Sequence, residues 1–209
     1  YPLHTSPEYS TSFQGPLWMN QLYIIEQLSK SVPYDWYVYV KEHPSMLTAR
    51  VRPPDFYKEI KKFPNVRLAP LSTDSPDLIS KAQVVAVVTG TSGWEAIQRG
   101  IPVITFVPNY FDVMGLSKIC SNIETLSLDI REAVAESKRM SPQERKKRIV
   151  CFLSALLEHG FNITHAPQFF YEPGTPEQYE LGGVEMADAL VKYLDKLDIK
   201  CSKIGRAHV

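Results

Sequence analysis

Apolar and polar residues along this chain form two kinds of pattern, one typical of helices and one typical of strands, and these patterns alternate. Residues 17–30 place apolar side chains at helical spacing with polar residues between them, which predicts an amphipathic helix. The continuous apolar runs at 84–89 and 102–107 are typical of strands that are covered on both faces, and the aromatic and β-branched residues at 36–41 also predict a strand. We predict strands at 36–41, 65–69, 84–89 and 102–107, after a strand end at the start of the chain. We also predict helices at 53–63, at 75–82 with Ser75 as the N-cap, and at 93–100 with Gly100 closing the helix.

The order of these elements predicts the fold class. Strands alternate with helices from residue 1 to about residue 112. Alternation at these lengths favours an α/β fold, with a Rossmann-like parallel sheet flanked by helices. We therefore assign residues 1–112 to one Rossmann-like core.

The pattern after residue 112 becomes more helical. Ser141, Pro142 and Glu144 predict a capping box at the start of a helix that ends at Gly160. A final amphipathic helix is predicted at 184–197, after a connection rich in Pro, Gly and aromatic residues at 161–183. We assign residues 113–199 to a helical part of the same domain, and residues 200–209 to a tail that is disordered or artefactual.

Composition argues against several classes of protein. Lys plus Arg and Asp plus Glu both number 23, so there is no basic excess of the kind that nucleic-acid-binding proteins show. The sequence contains no run of 18 apolar residues, the length that would predict a membrane span. The three cysteines are widely spaced and odd in number, which favours free thiols in a reducing cytosol over a disulfide framework or a metal site. The chain starts without Met, and we expect preceding residues to be missing.

Polar residues follow four of the predicted strands. Ligands of open parallel sheets bind at the carboxyl ends of the strands, and parallel strands bring those ends to one rim. We therefore expect the polar segments to lie close together at a ligand site. They are His4 to Glu8, Lys41 to Pro44, Gly90 to Glu95, and Pro108 to Asp112.

The segment Gly90 to Glu95 is the strongest candidate for binding phosphate. Small residues allow a ligand to approach the backbone, and a helix that begins near Gly93 would present free N–H groups and the positive end of its dipole. Thr91 and Ser92 add hydroxyl donors. Ser92 and Glu95 also fit a capping box, which would stabilise the helix without any ligand, and the two roles are compatible.

His43 is the candidate for stabilising charge on a leaving group. Pro44 favours an extended conformation at His43, which would hold the imidazole at the rim. A histidine there can donate a hydrogen bond to a phosphate oxygen. The alternative is a structural histidine bonded to a neighbouring loop. The glycine turn after a neighbouring strand favours the functional role.

Several segments together resemble the capsule polysaccharide biosynthesis family, which is related to bacterial Kdo transferases and to sialyltransferases with an HP motif. The resemblance covers residues 1 to about 112. Its most specific elements are "YVKEHPSM" and "TGTSGWEAIQRG", about 50 residues apart, and it also includes "PLHTSPEYST" and "FPNVRLAP".

The resemblance implies a GT-B architecture, of which this chain would be the C-terminal, donor-binding half with trailing helices. It places His43 and Pro44 by a cytidine monophosphate group, Thr91 and Ser92 at the phosphate, and Glu95 at the ribose or sugar. Its other implied donor-site residues are Lys41, Glu42, Gly90, Gly93, His4 and Glu8, with Arg50 and Tyr57 as weaker candidates. The general base would lie in a missing N-terminal domain, so we expect these 209 residues alone not to transfer sugar.

The implied function is transfer of a sugar, such as Kdo or another acidic sugar, from a CMP donor to a glycan or glycolipid acceptor. We expect a cytoplasmic protein, with peripheral association with the plasma membrane as an option. No D-x-D pair lies near the rim, so the sequence requires no metal or other cofactor. The alternatives are a CDP-polyol phosphotransferase-like enzyme, a hydrolysing sugar epimerase, and a non-catalytic component of capsule assembly or export, since fold does not dictate function.

Overall fold

The computed structural model describes residues 1–5, 12, 14–48, 52–160 and 175–196. The strands are β1 (Val38–Val40), β2 (Val66–Leu68), β3 (Val85–Val87), β4 (Val103–Thr105) and β5 (Ser117–Ile119). The helices are α1 (Gln21–Ser31), α2 (Ser45–Thr48), α3 (Pro54–Ile60), α4 (Ser75–Lys81), α5 (Thr91–Gln98), α6 (Leu126–Arg139), α7 (Pro142–His159) and α8 (Pro176–Lys196). Two compact units divide the chain at residue 149, the first ending within α7 and the second containing the rest of α7 and α8.

All strand pairs of the first unit are parallel, which confirms the predicted Rossmann-like α/β class. β1 pairs with β2, and β4 lies between β3 and β5. Residues 1–4, the first segment, add to the other edge of β1. Leu3 N–H donates to Lys41 O at 2.8 Å, and Lys41 N–H donates to Tyr1 O at 3.1 Å. The parallel pairing places the carboxyl ends of neighbouring strands on one side of each sheet.

One apolar core joins both sheets to the helices that cover them. Its members include residues of the first segment, α1, β1, β2, β4 and α6. Typical buried members are Leu3, Ile24, Val40, Val66, Ile104 and Ile130. Because apolar burial is the main stabilising contribution to folding, this core fixes the strand ends relative to one another within the first unit.

Two local signals are confirmed at helix ends. Ser141 Oγ accepts the N–H of Glu144 at 3.1 Å at the start of α7, although the Glu144 carboxylate pairs with Arg148 instead of closing the reciprocal half of the box. Gly100 follows α5 with φ 78°, a conformation that glycine adopts without strain.

Four element predictions need correction. β5 was not predicted, because three residues with polar Ser117 and Lys118 carry too little apolar pattern. α4 is capped by Asp74, whose side chain accepts Asp77 N–H, so Ser75 is its first helical residue and not its cap. α8 begins at residue 176, so the predicted connection at 161–183 is helical in its last part. α5 begins at Thr91 and not near Gly93.

The predicted domain boundary at residue 112 stays a prediction. β5 and α6 lie beyond that boundary within the first unit, and β5 completes the sheet that begins with β3. The predicted tail at 200–209 lies outside the described residues. None of the described helices has the length and apolar character that crossing a membrane requires.

Candidate functional site at the strand ends

The end of β1 carries Lys41, Glu42, His43 and Pro44, and their side chains have different environments. The Lys41 ammonium donates to the carbonyls of Pro70 and Leu71, at 3.3 and 2.9 Å, in the loop after β2. Pro44 is exposed, and His43 is half-buried. Lys41 therefore ties two neighbouring strand ends together, which is a structural contact that the sequence did not indicate.

Glu42 is a buried carboxylate whose two oxygens are both engaged. Oε2 accepts from Arg52 Nε at 2.9 Å and from the Tyr57 hydroxyl at 2.7 Å. Oε1 accepts the backbone N–H of His43 at 2.7 Å. Burial and the hydrogen bond to Glu42 raise the pKa of Tyr57 to about 12, so its hydroxyl remains a donor at neutral pH.

The imidazole of His43 is oriented by the turn that follows it. Its Nδ1 accepts the backbone N–H of Ser45 at 3.2 Å. A ring nitrogen that accepts a hydrogen bond carries no proton, so the proton of the neutral ring is on Nε2. His43 can therefore present an N–H donor from Nε2, the atom of the ring that is farther from the backbone.

The backbone of His4, at the end of the first segment, is hydrogen-bonded to the side chains of Gln21 and Arg52. Gln21 Oε1 accepts His4 N–H at 2.8 Å, and Gln21 Nε2 donates back to His4 O at 3.1 Å. Arg52 Nη2 also donates to His4 O. The His4 ring is buried, and its Cε1 lies 3.7 Å from the position that a Cβ on Gly90 would occupy. His4 thus connects the end of β1 to the turn after β3.

The predicted capping box at Ser92 and Glu95 is wrong. Gly90 occupies the N-cap position of α5 with φ 105°, and no side chain caps the helix. Positive φ costs L-residues energy but costs glycine little, so Gly90 lets the chain turn into the helix two residues earlier than predicted. Thr91 and Ser92 are consequently in the first turn, where backbone N–H groups have no intrahelical acceptor.

Gly93 packs closely against Phe111, and Glu95 does not cap α5. Gly93 is buried, and a Cβ on it would lie 2.7 Å from Cζ of Phe111, so the absence of a side chain serves packing of α5. Its N–H lies 3.4 Å from Gly90 O. Glu95 lies one turn into α5 and is half-buried.

The turn after β4 is held together by Asp112. Its carboxylate accepts Asn109 N–H at 2.7 Å and the hydroxyls of Thr105 and Ser117. Asn109 Nδ2 donates to the carbonyls of Val88 and Val107, at 3.2 and 2.8 Å. The ends of β3 and β4 are therefore joined by side-chain hydrogen bonds.

A cavity lies beside this rim. It has a volume of about 670 Å³ and lies between residues of β1, α4 and β3. Among the predicted site residues, Lys41 and Ser92 line it, but His43 and Glu95 do not. The wall is mainly apolar, with Trp36 and Val85 among its residues, although Lys41, Lys81 and Ser92 also line it. The chemistry at the rim identifies the candidate site better than the cavity volume does.

Two residues of the site were missed by sequence reasoning. Arg52 and Gln21 are both buried and polar, and both bond to the strand ends. Arg52 stands just before two prolines and Gln21 starts α1, so neither had a motif to mark it. Glu8 and Arg50 lie outside the described residues. Among the described residues, no group of three or more His, Cys, Asp and Glu side chains could hold a metal ion.

Comparison with known protein families gives a match. The model of the family described as capsule polysaccharide biosynthesis protein matches residues 12–135, which is more than half of the chain. No curated protein and no solved structure matches. The matched range contains β1 to β5 and the strand ends that carry His43, Thr91 and Ser92.

Proposed function

The chain belongs to the capsule polysaccharide biosynthesis protein family, and from this premise we propose that its strand-end rim binds the nucleotide of an activated sugar during glycosyl transfer. A CMP-sugar, such as CMP-Kdo, is the donor in this proposal. A glycan or glycolipid is the acceptor, on the cytoplasmic side of the plasma membrane. The observation that carries the proposal is the first turn of α5, which has no side-chain cap and follows a positive-φ glycine at the rim.

The first turn of α5 has the chemistry of an anion site. Free N–H groups and the positive end of the helix dipole favour phosphate, and Thr91 and Ser92 add hydroxyl donors. Thr91 is exposed and Ser92 is half-buried, so the turn is accessible to a ligand. His43, with its proton on Nε2, would donate to the departing phosphate and stabilise its developing charge.

The described carboxylates at the ends of β1 and β4 are unsuited to act as the general base. The Glu42 carboxylate is paired with the Arg52 guanidinium, and Asp112 accepts three hydrogen bonds that hold its turn. A general base must be free to accept a proton from the acceptor hydroxyl. We therefore assign donor binding and leaving-group stabilisation to this rim, and proton abstraction to a group outside these two positions.

Calorimetric titration of the 209-residue chain with CMP, UDP and GDP tests the proposal. We expect CMP to bind most tightly. His43→Ala should weaken CMP binding by one charge-assisted hydrogen bond, about 1.5–3 kcal/mol or roughly 10- to 150-fold in Kd. His159→Ala is the matched control, because His159 is an exposed histidine at the end of α7.

Three results would contradict the proposal. Tighter binding of UDP than CMP would exclude the cytidine donor. Equal CMP affinity of His43→Ala and wild type would remove His43 from the site. A large loss of thermal stability in His43→Ala with normal binding would make His43 a structural residue.

A further inference from the structure

Arg52 makes three contacts from one buried side chain. Its Nε donates to Glu42 Oε2 at 2.9 Å, and its Nη2 donates to His4 O. Its Cζ lies 4.9 Å from the centre of the Phe56 ring, over the face of that ring. The planar guanidinium can make all three contacts at once because its donors point in fixed directions. Arg52 therefore links the end of the first segment to the end of β1.

Glu42 passes this constraint to His43. Arg52 and the Tyr57 hydroxyl hold Oε2, which leaves Oε1 aimed at the backbone N–H of His43 at 2.7 Å. The peptide of His43 is thereby fixed from one side, and Ser45 N–H fixes Nδ1 of the ring from the other. The direction of Nε2 depends on both restraints.

The same arginine also bears on the turn after β3. His4 is held by Gln21 through both its backbone N–H and its carbonyl, and Arg52 donates to that same carbonyl. The His4 ring in turn lies against Gly90, the residue that starts α5. One chain of buried contacts thus runs from His43 through Glu42, Arg52 and His4 to the proposed phosphate turn.

From these contacts we infer that the buried Arg52–Glu42 pair is a positioning device for the rim. The pair sets the orientation of His43 and its placement relative to the Gly90 turn, and this orientation lets Ser45 N–H reach Nδ1 and fix the tautomer. The inference rests on the proposed function for its effect on nucleotide binding, but not for its effect on His43 itself. Neither Arg52 nor Glu42 touches the ligand in this assignment, and both act through His43 and His4.

The substitution Arg52→Lys separates position from charge. Lysine keeps a positive charge opposite Glu42, but it has no fork to reach His4 O and no planar group to stack on Phe56. The matched control is Arg148→Lys, because Arg148 Nε pairs with Glu144 at 2.9 Å and its Nη1 donates to the carbonyls of Met114 and Gly115, away from the strand ends. Both variants are made in the full chain, and circular dichroism checks that they fold.

Two measurements are made on each variant. Nitrogen NMR of ¹⁵N-histidine-labelled protein reports the His43 tautomer, with the His43 signals assigned from a His43→Gln variant. Calorimetry reports CMP affinity. We expect wild type and Arg148→Lys to keep the proton on Nε2, and Arg52→Lys to give a mixture of tautomers with CMP affinity lower by about tenfold, the size of effect typical of residues that orient a site from its second layer.

The outcomes separate the inference from the proposed function. An unchanged His43 tautomer together with unchanged CMP affinity in folded Arg52→Lys would overturn the inference. A changed tautomer in a protein that does not bind CMP in any form would support positioning and refute the proposed function. If Arg52→Lys does not fold, Tyr57→Phe decides, because it removes one donor to Glu42 Oε2 while the ion pair remains. A smaller change in the same direction supports the inference, and the absence of any change overturns it.

Discussion

The ends of β1 and β3 carry similarly polar sequences, Glu42-His43 and Thr91-Ser92, but they differ in the side-chain hydrogen bonds that hold them. At the end of β1, the Glu42 carboxylate is buried and accepts hydrogen bonds from three residues, and His43 is restrained on both sides. At the end of β3, the first turn of α5 has no side-chain cap. One strand end is therefore held rigid by side chains, and the other leaves backbone donors for a ligand.

The largest effect is expected from breaking the restraint at the end of β1. Glu42→Gln leaves the buried Arg52 guanidinium without its counter-charge, and loss of one partner of a buried pair costs about 3–5 kcal/mol of folding free energy. Urea unfolding measures the change. Glu144→Gln is the control, because Glu144 pairs with Arg148 on an exposed helix surface, where such pairs add little. Equal losses in the two variants would show that the Glu42 pair is not buried in solution.

An intermediate effect is expected at the turn after β3. Gly90→Ala forces an alanine to φ 105°, which costs about 1–3 kcal/mol of backbone strain. Steric contact is not the cause, because the nearest atom to the new Cβ would be 3.7 Å away. Gly183→Ala in α8 is the control, since its Cβ would meet nothing within 4 Å. Alanine in place of glycine within a helix should raise the free energy of unfolding by at most about 1 kcal/mol. Thermal melting that shows no loss for Gly90→Ala would contradict the positive-φ turn.

The smallest effect distinguishes a capped helix from an uncapped one. Ser141→Ala should cost about 1 kcal/mol, because Ser141 Oγ accepts the Glu144 N–H at the start of α7. Ser92→Ala should change the free energy of unfolding by less than about 0.5 kcal/mol, because Ser92 caps nothing, while CMP binding weakens. A loss for Ser92→Ala as large as that for Ser141→Ala would restore the capping box that the structure excludes.

Much of the fold could be predicted because its signals are local. Four strands were predicted, and β1 to β4 lie within the predicted ranges. β3 and β4 are buried at every residue, as their continuous apolar runs indicate, whereas β1 and β2 each expose their middle residue. β5 escaped prediction because it contains a lysine and a serine and is only three residues long. The start of α5 was predicted two residues late, because Ser92 and Glu95 fit a capping box and the positive φ of Gly90 is not visible in a sequence.

The sequence alone predicted which polar residues lie at strand ends, because those residues directly follow the segments whose composition indicates strands. It placed His43, Thr91 and Ser92 in that set. Which of these polar groups are engaged depends on the tertiary fold, because their partners come from distant parts of the chain. Arg52 reaches His4 across 48 positions, and Gln21 reaches it across 17. Hydrogen bonds of this range depend on the packing that buries them, and no short pattern of residues encodes that packing.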